Sequence, residues 1–316
     1  MHWLPDKSAP EVIFNDRERG SPISVILNVR TRERRVLSRP ISALSHNGKI
    51  ALSINFGRLQ WARPGYGYAG IHDPFVNDPH PDEDSIFLLD LESGEEKRLV
   101  RLKDALATYD KPDEIENQSV LFNHTSFSPD DRRFAFLIQW RRYSLPKWAR
   151  LSRLKKLWRP KSLMFTADAD GKNLHHLADL EDVSHFDWRN PNEILMWAKL
   201  NDLKGFFLVT DCGGGHRRIA ENTLTEDGHC SFSPNGRWIL VDTYPSRDRY
   251  SALKVLLWEE EREFVLGRFY SPPRYVDQIR CDLHPRWNRS GTHVCFDSVH
   301  EGSRQLYVMD VSSLTA

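Results

Sequence analysis

The sequence has no run of about 18 apolar residues, so it offers nothing that would span a bilayer as a helix. Its start, "MHWLPDKSAPEVIFND", lacks the basic-then-apolar pattern of a secretory signal, and a cytoplasmic protein without membrane contact is expected. Net charge is also missing. Lys+Arg and Asp+Glu both number 44, which removes the whole-molecule field that would argue for nucleic acid or an anionic membrane. Any recognition by charge must be local. Cysteine is scarce, with four in 316 residues and no Cys-x-x-Cys pair. In a reducing compartment that favours thiols or metal ligands over a disulfide framework.

What the chain does have is a repeated phrase. "SFSPDDRRFAFLIQW" from Ser126, "SFSPNGRWILVDTY" from Ser231, "PRWNRSGTHVCFDS" from Pro285 and a worn copy, "ISALSHNGKIALSINF" from Ile41, are each two apolar runs about a Pro/Asn/Asp/Gly turn. Such a pattern predicts a β-hairpin. A second phrase, an apolar strand ending in an acidic or amide residue, recurs as "SIFLLDLESGEE", "SLMFTADADGK", "GFFLVTDCGGG" and "RQLYVMDVSS". Hairpin, third strand and short fourth strand make one blade. Recurrence at roughly 40 to 80 residues marks a radial array whose units cannot bury both faces alone. The expected fold is all-β, a single β-propeller domain over 1–316 built of four-stranded antiparallel blades.

Blades are expected at about 41–101, 124–179, 184–221, 228–268 and 283–313, the last without an outer strand. Before them, "EVIFNDRE", "PISVILNVRT" and "RRVLSR" give only three strands, so the first blade reads as incomplete and the count as six or seven. Two insertions interrupt the spacing. "GRLQWARPGYGYAGIHDPFVNDPHPDED" is a long Gly/Pro-rich loop, of the kind more often functional than not; "RPGYGY" within it, with Tyr66 and Tyr68, reads either as lining of the channel mouth or as a tight turn with aromatic packing. The second is a basic aromatic insertion at 140–161, with nine Lys/Arg from Arg141 to Lys161 interleaved with Trp140, Tyr143, Trp148 and Trp158.

Four histidines recur in phase. His124, His185, His229 and His284 stand at the start of the innermost strands of successive blades, where a core or solvent histidine has no reason to repeat. A neutral histidine is a competent general base, so His124 and His185 are candidates, with Tyr244 in "VDTYP" as acid or hydrogen-bond donor. His229, Cys281 and His284 supply imidazole and thiolate, which suit a tetrahedral Zn²⁺. The fourth ligand would be Cys295 or Cys230, and strand alternation turns Cys230 away from His229. The plainer reading makes Cys230 and Cys295 small buried hydrophobes. Arg141, Arg142, Arg159 and Lys161 suit carboxylates or sulfates, Arg as a bidentate fork, with tryptophans to stack on sugar rings; the alternative is a solvated helix. Asp187, Asp242 and Asp297 are the carboxylates a glycoside hydrolase would need.

Through "VSHFDW", "GHCSFSPNGRWILVDTYP" and "RCDLHPRWNRSGTHVCFDSVHEGSRQLYVMD", the chain resembles the oligogalacturonate lyase family and, more loosely, the propeller-fold ulvan lyases. The likeness is strongest from His124 to Asp310; earlier blades are similar to TolB-like repeats. The resemblance implies a histidine that abstracts the proton α to a uronate carboxylate, here His185. It also implies a divalent metal held by histidines of neighbouring blades, here His229 and His284. Cys281 and Arg286 stand where the family has glutamine and histidine ligands. That implies a structural Zn²⁺ in place of a catalytic Mn²⁺, with the acidifying charge supplied by arginine or lysine; Arg159 and Lys161 lie near the place of the family's assisting arginine. The function expected is β-elimination on a uronic-acid-containing oligo- or polysaccharide. The rival is a non-catalytic propeller serving as a scaffold, with protein partners, or as a sugar sensor.

Overall fold

The computed structural model describes residues 1–5, 10–116, 118–142, 161–177 and 180–315. They form two compact units, residues 1–178 and 179–316, each carrying three antiparallel sheets. In every sheet the strands follow one another in chain order, the meander of a propeller blade. No helix among the described residues is long and apolar enough to cross a membrane.

The first unit begins with a blade of strands His2–Trp3, Glu11–Glu18, Ser21–Asn28 and Arg34–Leu37. His2 and Trp3 pair with Ile13 and Val12, so the first blade is complete, against the sequence expectation. A two-residue strand carries no apolar run to announce it. Arg19 (φ 48°) and Gly20 (φ 87°) close the central hairpin, both in the left-handed region that matches the twist of the flanking strands. The second blade runs Ala43–Leu44, Ile50–Ser53, Ser85–Asp90 and Glu96–Arg101, and the third Gln118–Phe127, Arg133–Arg142, Lys161–Asp168 and His175–His176. Their shared core holds Leu52, Ile86, Phe122, Phe134, Phe136 and Phe165, with Phe136 and Phe165 stacked at 5.5 Å.

The second unit holds a fourth blade of Phe186–Asn190, Glu193–Leu200, Leu203–Thr210 and His216–Ile219, and a fifth of Cys230–Phe232, Trp238–Asp242, Tyr250–Leu257 and Arg262–Tyr270. The sixth has Arg286–Trp287, His293–Ser298 and Gln305–Asp310, with no fourth strand among the described residues. Alternation explains how one strand serves two cores. In "WILVD", Ile239 and Val241 join Leu195, Phe206 and Leu208 of the fourth blade, while Trp238 and Leu240 join Val294 and Phe296 of the sixth.

Three of the four copies of the turn phrase work through one device. Ser45, Ser128 and Ser233 each donate their hydroxyl to an Asn or Asp two residues on, at 2.6 to 3.0 Å, and accept a backbone N–H five residues on, at 3.0 to 3.1 Å. Each serine thus closes its hairpin from inside. The long loop of the second blade is organised differently, by Arg58 on the helix Phe56–Ala62. Its guanidinium, 1% exposed, donates to Asp73 Oδ2 at 3.2 Å and to the carbonyls of Phe75, Asp78, Pro79 and Val120. Tyr68 receives Asn15 Nδ2 on its hydroxyl at 2.7 Å and stacks on Phe56, which is the packing role expected of "RPGYGY".

Candidate active site

His185, His229 and His284 converge within the second unit. Each lies beside an innermost strand and is tied to the neighbouring strand by a backbone bond at or next to it: Trp197 N–H to His185 O, Asp242 N–H to His229 O, and Asp297 N–H to Leu283 O. The ring centroids of His185 and His229 lie 4.1 Å apart, and those of His229 and His284 3.8 Å. His284 takes φ 46°. In that conformation its N–H reaches Asp242 Oδ2 at 3.0 Å.

Two buried or half-buried carboxylates orient these rings, and sequence reasoning missed their part. Asp227 Oδ1 accepts from His185 Nδ1 at 3.1 Å and from the Ser184 hydroxyl at 2.6 Å. Asp242 accepts the His229 N–H on Oδ1 at 2.7 Å and His229 Nδ1 on Oδ2 at 2.9 Å. With Nδ1–H given to a carboxylate, each Nε2 keeps its lone pair. His185 Nε2 then faces the Tyr244 hydroxyl at 3.4 Å. Burial, reinforced by the neighbouring His185, holds His229 down at about 2, and burial holds His284 at about 3, so both are neutral at physiological pH. Asp242 is pushed up to about 6 by burial, against the two N–H groups that stabilise its charge. Gly228 completes the construction: a Cβ there would fall 1.9 Å from the Asp242 carbonyl oxygen, so only glycine lets the 227–229 segment lie against that strand.

The other expected residues have surroundings of their own. His124 belongs to the first unit, where it is the extra residue of a β-bulge with φ 39°. Arg141 and Arg142 end the second strand of the third blade opposite Ser119 and Gln118. Arg159, with Trp148 and Trp158, lies outside the described residues. Lys161 begins the third strand and pairs with Glu114 at 2.8 Å. Asp187 accepts the Phe232 N–H at 3.0 Å, and Asp297 pairs with both Arg286 and Arg304, so these carboxylates hold backbone and surface together.

The structure gives the zinc expectation no support. Among the described residues no group of three or more His, Cys, Asp or Glu side chains is arranged to hold a metal ion. His229 gives Nδ1 to Asp242, which leaves Nε2 as its one ring atom open to a ligand, and burial pushes the thiols of Cys281 and Cys295 up. Cys281 Sγ rests 3.9 Å from its neighbour's carbonyl, and Cys230 packs in the core with Trp197 and Val241. Among the described residues the expected set of His229, Cys281, His284 and Cys295 is not assembled as a metal site.

No family model and no curated sequence matches the chain. Solved structures do. A TolB from Acinetobacter baumannii superposes with TM-score 0.55 at 12% identity, over 97% of this chain and 63% of that one. An oligogalacturonate lyase in complex with manganese gives 0.62 at 16%, over 97% and 75%. The fold is a β-propeller. A further oligogalacturonate lyase, from Vibrio parahaemolyticus, gives 0.53 at 14%, over 97% and 88%. At these identities the propellers share an architecture, and activity has to be argued from the site.

Proposed function

We propose that this propeller is a lyase-like enzyme that cleaves uronic-acid-containing oligo- or polysaccharide by β-elimination. The observation that carries the reading is the chain Asp227–His185–Tyr244, two contacts of 3.1 and 3.4 Å that join a carboxylate, an imidazole and a phenol. His185 Nε2 takes the proton from the α-carbon of the uronate. The electrons of that bond form the α–β double bond, and the bond from the β-carbon to the glycosidic oxygen breaks with its pair on oxygen. Tyr244 gives that oxygen its hydroxyl proton. The proton on His185 then returns to the phenolate across their hydrogen bond, and Asp227 stabilises the imidazolium meanwhile. Neutral His229 and His284 offer further hydrogen-bonding partners without repelling a proton arriving at His185.

The test is incubation with polygalacturonate, alginate, glucuronan and ulvan, following the ultraviolet absorbance of the unsaturated product. Product from at least one polymer, lost by about 10²-fold or more in His185→Asn, is expected. Absence of product from all four overturns the elimination, and binding that persists without product identifies a sugar-binding propeller.

A further inference from the structure

Elimination requires a fixed cation, because the α-carbon releases its proton only when negative charge delocalising into the carboxylate is stabilised. A side chain of the site can supply that charge. Two guanidinium groups act electrostatically on His229: Arg280 and Arg286. Arg286 is committed, donating Nε to the His284 carbonyl at 3.0 Å and Nη2 to Asp297. Arg280 lies beside the phenol. Its guanidinium carbon stands 5.3 Å from the centroid of the Tyr244 ring, whose hydroxyl meets His185. Asp282 holds one end of it, at 2.8 Å through Nη2, and its side chain is 38% exposed.

We propose that Arg280 is the carboxylate-binding residue of this site, supplying positive charge beside the proposed acid and base. Arg280, Tyr244 and His185 form a row of cation, proton donor and base. A carboxylate paired with the guanidinium, whose donors form a planar fork, brings its α-carbon toward the phenol and the imidazole. The ligand class is a free uronate, and Asp282 is the positioning residue that aims the fork. The catalytic consequence rests on the elimination reading; the binding of a carboxylate does not.

The two are separated by measuring binding and turnover in the same proteins. Galacturonate, glucuronate, mannuronate and guluronate trimers are titrated calorimetrically as free acids and as methyl esters, with wild type, Arg280→Gln and Arg280→Lys, before and after chelation. Wild type is expected to prefer one free acid over its ester by about tenfold or more, unchanged by chelation. Arg280→Gln should lose that preference and Arg280→Lys keep part of it, Lys retaining the charge without the fork. Acid preference that survives in Arg280→Gln, vanishes with chelation, or is missing from wild type for all four sugars overturns the assignment. An Arg280-dependent preference without product leaves the assignment standing and removes the elimination; product formed unimpaired by Arg280→Gln does the reverse.

Discussion

Asp84 is 3% exposed and lies beside the Arg58 hub, with Oδ2 3.8 Å from Arg58 Nε. The guanidinium's closer partner is Asp73, at 3.2 Å. Two carboxylates thus share one cation away from water, and burial pushes Asp84 from 3.8 up to about 6, with Arg58 opposing and Asp73 adding. Because the folded pKa is the higher, the cost of ionising Asp84 is absent below about 4 and complete above about 6. A shift of about two units corresponds to about 3 kcal/mol. Asp84→Asn removes the titration and keeps an acceptor for the Ser85 N–H, which Asp84 Oδ1 takes at 3.1 Å. Urea unfolding followed by tryptophan fluorescence, at pH 4 and pH 7.5, should therefore show the variant gaining about 3 kcal/mol on wild type as pH rises. Any loss of packing enters equally at both values and cancels. Parallel stabilities, or a wild type that gains on the variant, would refute the assignment of a buried ionised carboxylate.

Tyr244→Phe keeps the ring under Arg280 and deletes the proton donor; turnover of the uronate substrate should fall about 10² to 10⁴-fold with its Kd little changed. Asp227→Asn presents an amide to His185 Nδ1 and favours the tautomer with Nε2 protonated; the expected outcome is a fall of similar size and a proton at Nε2 in ¹⁵N spectra of the imidazole. Leu240, 0% exposed between the fifth and sixth blades, should cost about 2 to 5 kcal/mol on truncation to Ala, read as a lower urea midpoint.

The hairpins were legible because Ser-x-Asn and Ser-x-Asp turns and period-2 apolar runs are local signals, and the second unit shows both in "SFSPNGRWILVD". The recurrence of His185, His229 and His284 was legible for the same reason: repeats keep equivalent positions in register. Their carboxylate partners were not. Asp227 precedes a glycine and Asp242 ends a strand, places where aspartate ordinarily serves turns, and only folding brings Asp242 against His229 across 13 positions. Arg58 is hidden likewise, since "GRLQWA" reads as the opening of a long loop, and only folding makes it part of a helix whose guanidinium the loop wraps.

Gly228 separates the residue that steers His185 from the residue that Asp242 steers. One tripeptide, Asp227–Gly228–His229, is therefore half of two proton-handling pairs, and a methyl group at its middle would displace both together. On the elimination proposed above, this glycine is as necessary to the site as the imidazoles it positions. Among distant propellers, Asp-Gly-His followed 13 and 15 positions after the histidine by Asp and Tyr, as Asp242 and Tyr244 follow His229, is then a fingerprint for the reaction centre. Chains that keep the serine turns but carry a larger residue at that glycine should have inherited only the scaffold.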